Sequence, residues 1–310
     1  MRAASGRRGR SHRYNGYRPG DRIQENTSPN ETDLPSIDTL SHNEPFHMTP
    51  GLTARLDRIS TNDRYLIVPM DHGITMGAVK GLVDIESTID GVTRGGADAV
   101  LTQKGIADRV HDNKNGAGYI VHANASTTIG PDENDKRMTA TAEEAVRAGA
   151  DAVSLHLNVG SEYEPKQIED LAALTDDADR LGLPVLAMAY ARGPGVDGTD
   201  PESLGHAVRL AEELGADVVK TGYSGDGDSF ERVTESTRLP VVIAGGSKGT
   251  DRETVEMVRG AMNGGAAGVS MGRSIFQHDD PEGIASAVSA IVHDDAGVDE
   301  ALRAGGFVEA

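Results

Sequence analysis

The sequence predicts a parallel (β/α)8 barrel over residues 48–310, behind a disordered, arginine-containing tail over residues 1–47. Three observations predict it. A phrase recurs as "GGADAV" (95–100), "AGADAV" (148–153), "LGADVV" (214–219) and "GGAAGV" (264–269). Four further apolar runs separate these copies: "YLIVPM" (65–70), "YIVHA" (119–123), "PVLAMAY" (184–190) and "LPVVIAG" (239–245). The eight units fill about 250 residues, the usual length of such a barrel.

The tail comes first. It sets seven arginines against six acids amid Ser, Asn, Gly and Pro, a composition too poor in apolar residues to bury a core. The alternative is that Met48 is the natural start. "YLIVPM" then reads as the first buried strand. Each copy of the repeated phrase follows a helical pattern and carries a glycine suited to the left-handed position at a helix C-terminus. A short apolar run comes next, so the phrase marks a passage from helix into strand. Strands alternating with helices imply parallel pairing through crossovers. An open doubly wound sheet is the competing arrangement, but the first strand ends in "MDHG" and not in a dinucleotide fingerprint.

Charge and composition exclude several functions. The formal net charge is −19 and the sequence pI is near 4.9, a poor match for nucleic acid or an anionic membrane. An acid-rich chain with only seven lysines suggests a salt-adapted cytosol. The absence of cysteine rules out disulfides, thiolate metal sites and cysteine nucleophiles. No run has the ~18 apolar residues of a membrane span, and the N-terminus lacks the ~7–15 residue apolar core of a signal peptide, so a cytoplasmic location is expected. The histidines are scattered and form no HExxH pair, so no metal and no cofactor is expected.

The ends of the eight runs carry the chemistry. In order they present Asp71 and His72; Gln103 and Lys104; His122 and Asn124; His156 and Asn158; Tyr190 and Arg192; Lys220; Gly245 and Gly246; and Gly272 and Arg273. In a barrel these share one rim, the rim where catalysis occurs. Lys220 ends "ADVVK", which has the character of a buried strand. Desolvation lowers a lysine pKa and frees a neutral amine that attacks carbonyls, so the candidate chemistry is a Schiff base. The competing reading is a barrel-internal ion pair, for example with Asp71. Asp71 and Tyr190 are candidate proton-transfer residues, and His72 either shares that work or hydrogen-bonds a loop. "IAGGSKGT" and "VSMGRSIF" follow the seventh and eighth runs, where barrels often bind phosphate: Gly245, Gly246 and Gly272 admit close backbone approach, and Arg273 offers a planar fork.

These motifs, "YLIVPMDHGITMGAVKGL", "GGADAVLTQKG", "MAYARGPG", "ADVVKTGYSGD", "PVVIAGGSKGT" and "GVSMGRSIFQ", resemble the archaeal class I aldolases of the DeoC/LacD superfamily across residues 50–295. Within it the resemblance is to the branch that makes 2-amino-3,7-dideoxy-D-threo-hept-6-ulosonate. It implies a Schiff base on Lys220, with Asp71 and Tyr190 moving protons in roles that could be exchanged. It implies 6-deoxy-5-ketofructose 1-phosphate and L-aspartate 4-semialdehyde as substrates, and a homo-oligomer, decameric in related enzymes. Fructose-1,6-bisphosphate aldolase is the nearest rival, with Lys104 or Arg192 as the second phosphate contact. A phosphosugar-binding barrel without chemistry is the third reading, and it would need no reactive amine.

Overall fold

The structure is a computed structural model and describes residues 49–246 and 249–307. The tail expected over residues 1–47 and the alternative start at Met48 lie outside the described residues. Eight parallel strands close into a barrel: β1 Tyr65–Pro69, β2 Ala99–Thr102, β3 Gly118–His122, β4 Ala152–Val159, β5 Val185–Ala191, β6 Val218–Thr221, β7 Val241–Ala244 and β8 Gly268–Ser270. Each strand pairs with its neighbours in sequence, and β8 returns to β1 through the Tyr65–Gly268 register. Closure excludes the open doubly wound sheet.

The repeated phrase is the joint that sets strand position. Its glycines, Gly96, Gly149, Gly215 and Gly265, take φ values of +95°, +77°, +84° and +86°, a left-handed turn that ends a helix without a Cβ penalty. In three copies an aspartate follows. The carboxylates of Asp98, Asp151 and Asp217 accept the backbone N–H of Leu66, Tyr119 and Val185 at 2.6, 3.1 and 2.8 Å. Their own N–H groups donate to the carbonyls of those same residues at 2.9, 2.7 and 3.0 Å. Each aspartate therefore joins the base of one strand to the base of the strand before it at two points. In the fourth copy Ala267 stands in its place and keeps only the backbone bond, to the Val241 carbonyl at 2.8 Å.

Alternation along the strands divides the apolar residues into two sets. Val68, Val100, Val121, Val219 and Ile243 face the surrounding helices. Ile67, Leu101, Ile120, Leu186, Val218 and Val242 fill the barrel interior. The helix Pro50–Ile59 joins the second set through buried Ile59 and partly buried Leu56. Its N-terminus is capped by Thr49, whose hydroxyl accepts from the Leu52 N–H at 3.3 Å. The interior below the strand ends is thus largely apolar.

Asp217 is a weak point in this frame. Burial, opposed by the Val185 hydrogen bond, raises its pKa from 3.8 to about 6. A carboxyl raised on folding costs stability as pH climbs from its unfolded value through its folded one, with the full cost present above about pH 6. Asp217→Asn keeps an acceptor for Val185 and removes the charge. The variant is expected to exceed the parent in unfolding free energy by up to roughly 3 kcal/mol at pH 7 and by nothing at pH 3.5, read by denaturant titration.

Candidate active site

The C-terminal ends of the strands enclose a cavity of about 380 Å³. All nine site residues expected from the sequence line it: Asp71, His72, Tyr190, Arg192, Lys220, Gly245, Gly246, Gly272 and Arg273.

Lys220 sits at the cavity floor. It is two residues beyond Val218, so alternation points it inward, and its backbone registers with Met188 on β5 and Val242 on β7. Only 6% of the residue is exposed. Among the described residues the ion pairs of Asp71 are to His72 Nδ1 at 3.5 Å and His122 Nε2 at 3.8 Å, not to Lys220, so the amine has no carboxylate clamp. The competing reading of Lys220, a barrel-internal ion pair with Asp71, is not met among them.

Asp71 follows β1 and precedes the short helix His72–Met76. Burial pushes its carboxyl upward, but His122, His72 and Lys220 outweigh burial and hold it below the usual value, so it is an anion at neutral pH. His122 is buried, and desolvation lowers its pKa to about 4; its Nδ1 bonds the Ser154 hydroxyl at 2.7 Å. His72 is also lowered by burial, against the opposing pull of Asp71. A fixed anion flanked by two neutral imidazoles can pass protons to and from a group on Lys220.

Tyr190 lies on β5, the strand beside Lys220. Its ring is 5.0 Å from that of His156 and carries the Arg192 guanidinium 4.5 Å above its centroid. His156 is held neutral by burial and by the positive charge of Lys136 and Arg192, and its Nε2–H donates to Asn158 Oδ1 at 2.8 Å. Across the cavity, β7 leads into Gly245 and Gly246, and β8 into Gly272 and Arg273. Gly246 takes φ +61°, and an Arg273 NH2 approaches its carbonyl at 3.4 Å. Gly272 packs so closely that a Cβ would lie 2.6 Å from His72 Cε1 and 2.9 Å from the Pro69 carbonyl. His72 in turn stacks edge-on to Phe276, with centroids 5.1 Å apart.

Sequence reasoning named other residues whose places differ. Lys104 pairs with Glu144 at 2.6 Å and does not line the cavity, so it is not a second phosphate contact. Gln103 braces a loop by bonding the Asn124 carbonyl and Thr139, and Asn158 bonds the Asn134 carbonyl at 3.3 Å. His122 and His156 were expected at strand ends without an assigned role, and both line the cavity. Glu133 and Lys136, also in the cavity wall, were missed. Both lie in the loop between β3 and β4, far from any strand-end motif, and nothing in their local sequence marks them.

Comparison with known proteins agrees with this geometry. The model of the DeoC/LacD family aldolases matches residues 65–278. A 2-amino-3,7-dideoxy-D-threo-hept-6-ulosonate synthase of Halobacterium salinarum is 66% identical over 258 residues, covering 83% of this chain and 97% of that protein. A class 1 fructose-bisphosphate aldolase of the same organism is 33% identical over 79% of this chain and 96% of its own length. A solved Schiff-base-forming fructose-1,6-bisphosphate aldolase superposes with a TM-score of 0.73 at 32% identity, covering 78% of this chain and 100% of that one.

The Gly272 contact gives a test of the site's packing. Gly272→Ala forces the His72 ring or the β1 end to move. It is expected to lower unfolding free energy by about 1–3 kcal/mol and to cut turnover, measured by thermal unfolding beside an activity assay.

Proposed function

This chain belongs to the DeoC/LacD family of aldolases, and from that premise we propose that it is a Schiff-base, transaldolase-type synthase. It moves a three-carbon unit from 6-deoxy-5-ketofructose 1-phosphate to L-aspartate 4-semialdehyde, giving 2-amino-3,7-dideoxy-D-threo-hept-6-ulosonate for an alternative route to 3-dehydroquinate and the aromatic amino acids. The observation that carries this reading is that identity to the halobacterial synthase is double the identity to the aldolase of the same organism.

In the proposed mechanism the Lys220 amine adds to the donor ketone, and loss of water leaves a protonated imine. The bond between the carbons α and β to the imine breaks, its electron pair moves through the α carbon into the imine to form an enamine, and Tyr190 takes the proton of the β-hydroxyl as hydroxypyruvaldehyde phosphate departs. The enamine carbon then attacks the semialdehyde carbonyl, and Tyr190 returns the proton to the new alkoxide. Water adds to the imine, Asp71 moves protons through the carbinolamine, and Lys220 is released. The imine supplies the electron sink, so no further group is needed to stabilise the carbanion. Gly245, Gly246, Gly272 and Arg273, with His72 beside them, are proposed to hold the ketose phosphate, and Arg192 to face the opposite end of the substrate.

A second reading has one observation in its favour. The cavity carries cations at both ends, Arg273 on one side and Arg192 with Lys136 on the other, an arrangement that also suits a bisphosphate. Cleavage of fructose 1,6-bisphosphate to triose phosphates, with no seven-carbon product from aspartate semialdehyde, would select that aldolase instead.

Borohydride reduction in the presence of donor is expected to trap the three-carbon unit on Lys220, located by peptide mass mapping, and Lys220→Met to abolish both trapping and turnover. Trapping at another lysine, or none despite donor binding, would defeat the mechanism. Tyr190→Phe is expected to slow C–C cleavage by about 10²–10⁴-fold while leaving imine trapping detectable, as loss of a general acid–base group would.

A further inference from the structure

Lysine is scarce in this chain, and most of the described lysines serve the surface. Lys80 pairs with Asp279, Lys104 with Glu144, and Lys166 with Asp170. Two are buried, Lys220 and Lys136, and both line the active-site cavity. Lys136 is 9% exposed, and its hydrogen bond among the described residues is to the Ser126 hydroxyl at 2.7 Å. Among those residues no carboxylate pairs with it. Glu133 and Asp71 act on it through their charge without forming an ion pair, and a buried ammonium paired so loosely is stabilised when an anion arrives to meet it.

Lys136 is also held in place. The antiparallel ribbon of Asn124–Ala125 with Arg137–Met138 fixes the loop on one side. The Asn134 carbonyl accepts from Gln167 at 2.6 Å and Asn158 at 3.3 Å, and the Thr128 N–H donates to the Thr75 carbonyl at 3.0 Å. A long, flexible side chain on a loop pinned at three points is organised before any ligand binds. Burial, then the Arg192 charge, lowers its pKa against the opposing pull of Glu133 and Asp71, and an anion bound beside it would offset the Arg192 repulsion.

The proposed reaction brings an aldehyde whose oxygen receives its proton at Tyr190 and whose carboxylate lies three C–C bonds away. The cations on that side of the cavity are Arg192, stacked on Tyr190, and Lys136; Arg273 and the glycine loops stand on the far side of Lys220, after β7 and β8. We propose that Lys136, aided by Arg192, is the specificity residue that binds the carboxylate of the incoming amino aldehyde, with Glu133 on the same loop facing its ammonium. The inference rests on the synthase reading and names its acceptor subsite. It makes the enzyme selective for an acidic aldehyde over a neutral one.

The test compares the full chain with Lys136→Met and Lys136→Arg, using 6-deoxy-5-ketofructose 1-phosphate as donor and three acceptors: L-aspartate 4-semialdehyde, succinate semialdehyde and butanal. Lys136→Met is expected to lower kcat/KM for both semialdehydes about 10–100-fold more than for butanal, chiefly through acceptor KM, and Lys136→Arg to restore most of the loss. Activity with butanal also reports that the variant is folded. An equal loss with all three acceptors overturns the proposal, as does a donor KM that rises as far as the acceptor KM, which would give Lys136 to the ketose phosphate. Failure of the unmutated enzyme to make seven-carbon product would overturn the synthase reading itself, and is recognised before any variant is assayed.

Discussion

The side-chain alternation of a closed parallel barrel is the constraint on which the rest of this molecule depends. Once β6 is registered between β5 and β7, Val218 points inward and Lys220 must follow it two residues later. A slip of one residue would send the amine out among the helices and put Val219 in the cavity. The register is secured at the base of the barrel, where Asp217 bonds both the N–H and the carbonyl of Val185. A carboxylate at one end of a strand thereby helps to place a nucleophile at the other.

The barrel interior supplies the second requirement, an apolar floor. Ile67, Leu101, Ile120, Leu186 and Val242 fill the space beneath Lys220, so the amine meets protein on its lower side and substrate on its upper one. Charges above that floor act at low dielectric, where each counts for more than on the surface. Asp71 is held below the usual carboxylate value against the effect of burial, by the Lys220 charge and, at the low pH where those rings are protonated, by His122 and His72; burial lowers His122 to about 4, so it is neutral at pH 7. The result is a defined proton carrier beside a defined nucleophile.

The cavity also inverts the charge of the chain that encloses it. The protein as a whole is formally −19, yet among the described residues Lys136, Arg192, Lys220 and Arg273 meet around one cavity whose carboxylates are Asp71 and Glu133. Surface acids repel anionic substrates at long range, and salt screens that repulsion over roughly 10 Å or less. The two buried cations, Lys136 and Lys220, are screened much less than the exposed Arg192 and Arg273.

The strand-end residues were legible because they sit next to strong local patterns. Lys220 closes an apolar β-branched run, Asp71 another, and Gly245 and Gly272 follow the last two; ordinal position in a barrel then assigned them to one rim. Lys136 and Glu133 have no such neighbour, since a loop of this length can carry its residues to many places. Only the ribbon through Asn124–Ala125 and the bonds to Asn134 bring Lys136 over the cavity. Lys104 erred in the opposite direction: its position after β2 suggested the rim, but it turns away to Glu144. By itself the sequence determined the eight-strand barrel and the residues at its mouth, because periodicity and helix-ending glycines are local properties. Which of those residues face one another, and which loop residue joins them, was decided by the tertiary structure, because contacts between distant segments depend on closure and loop anchoring that no local pattern encodes.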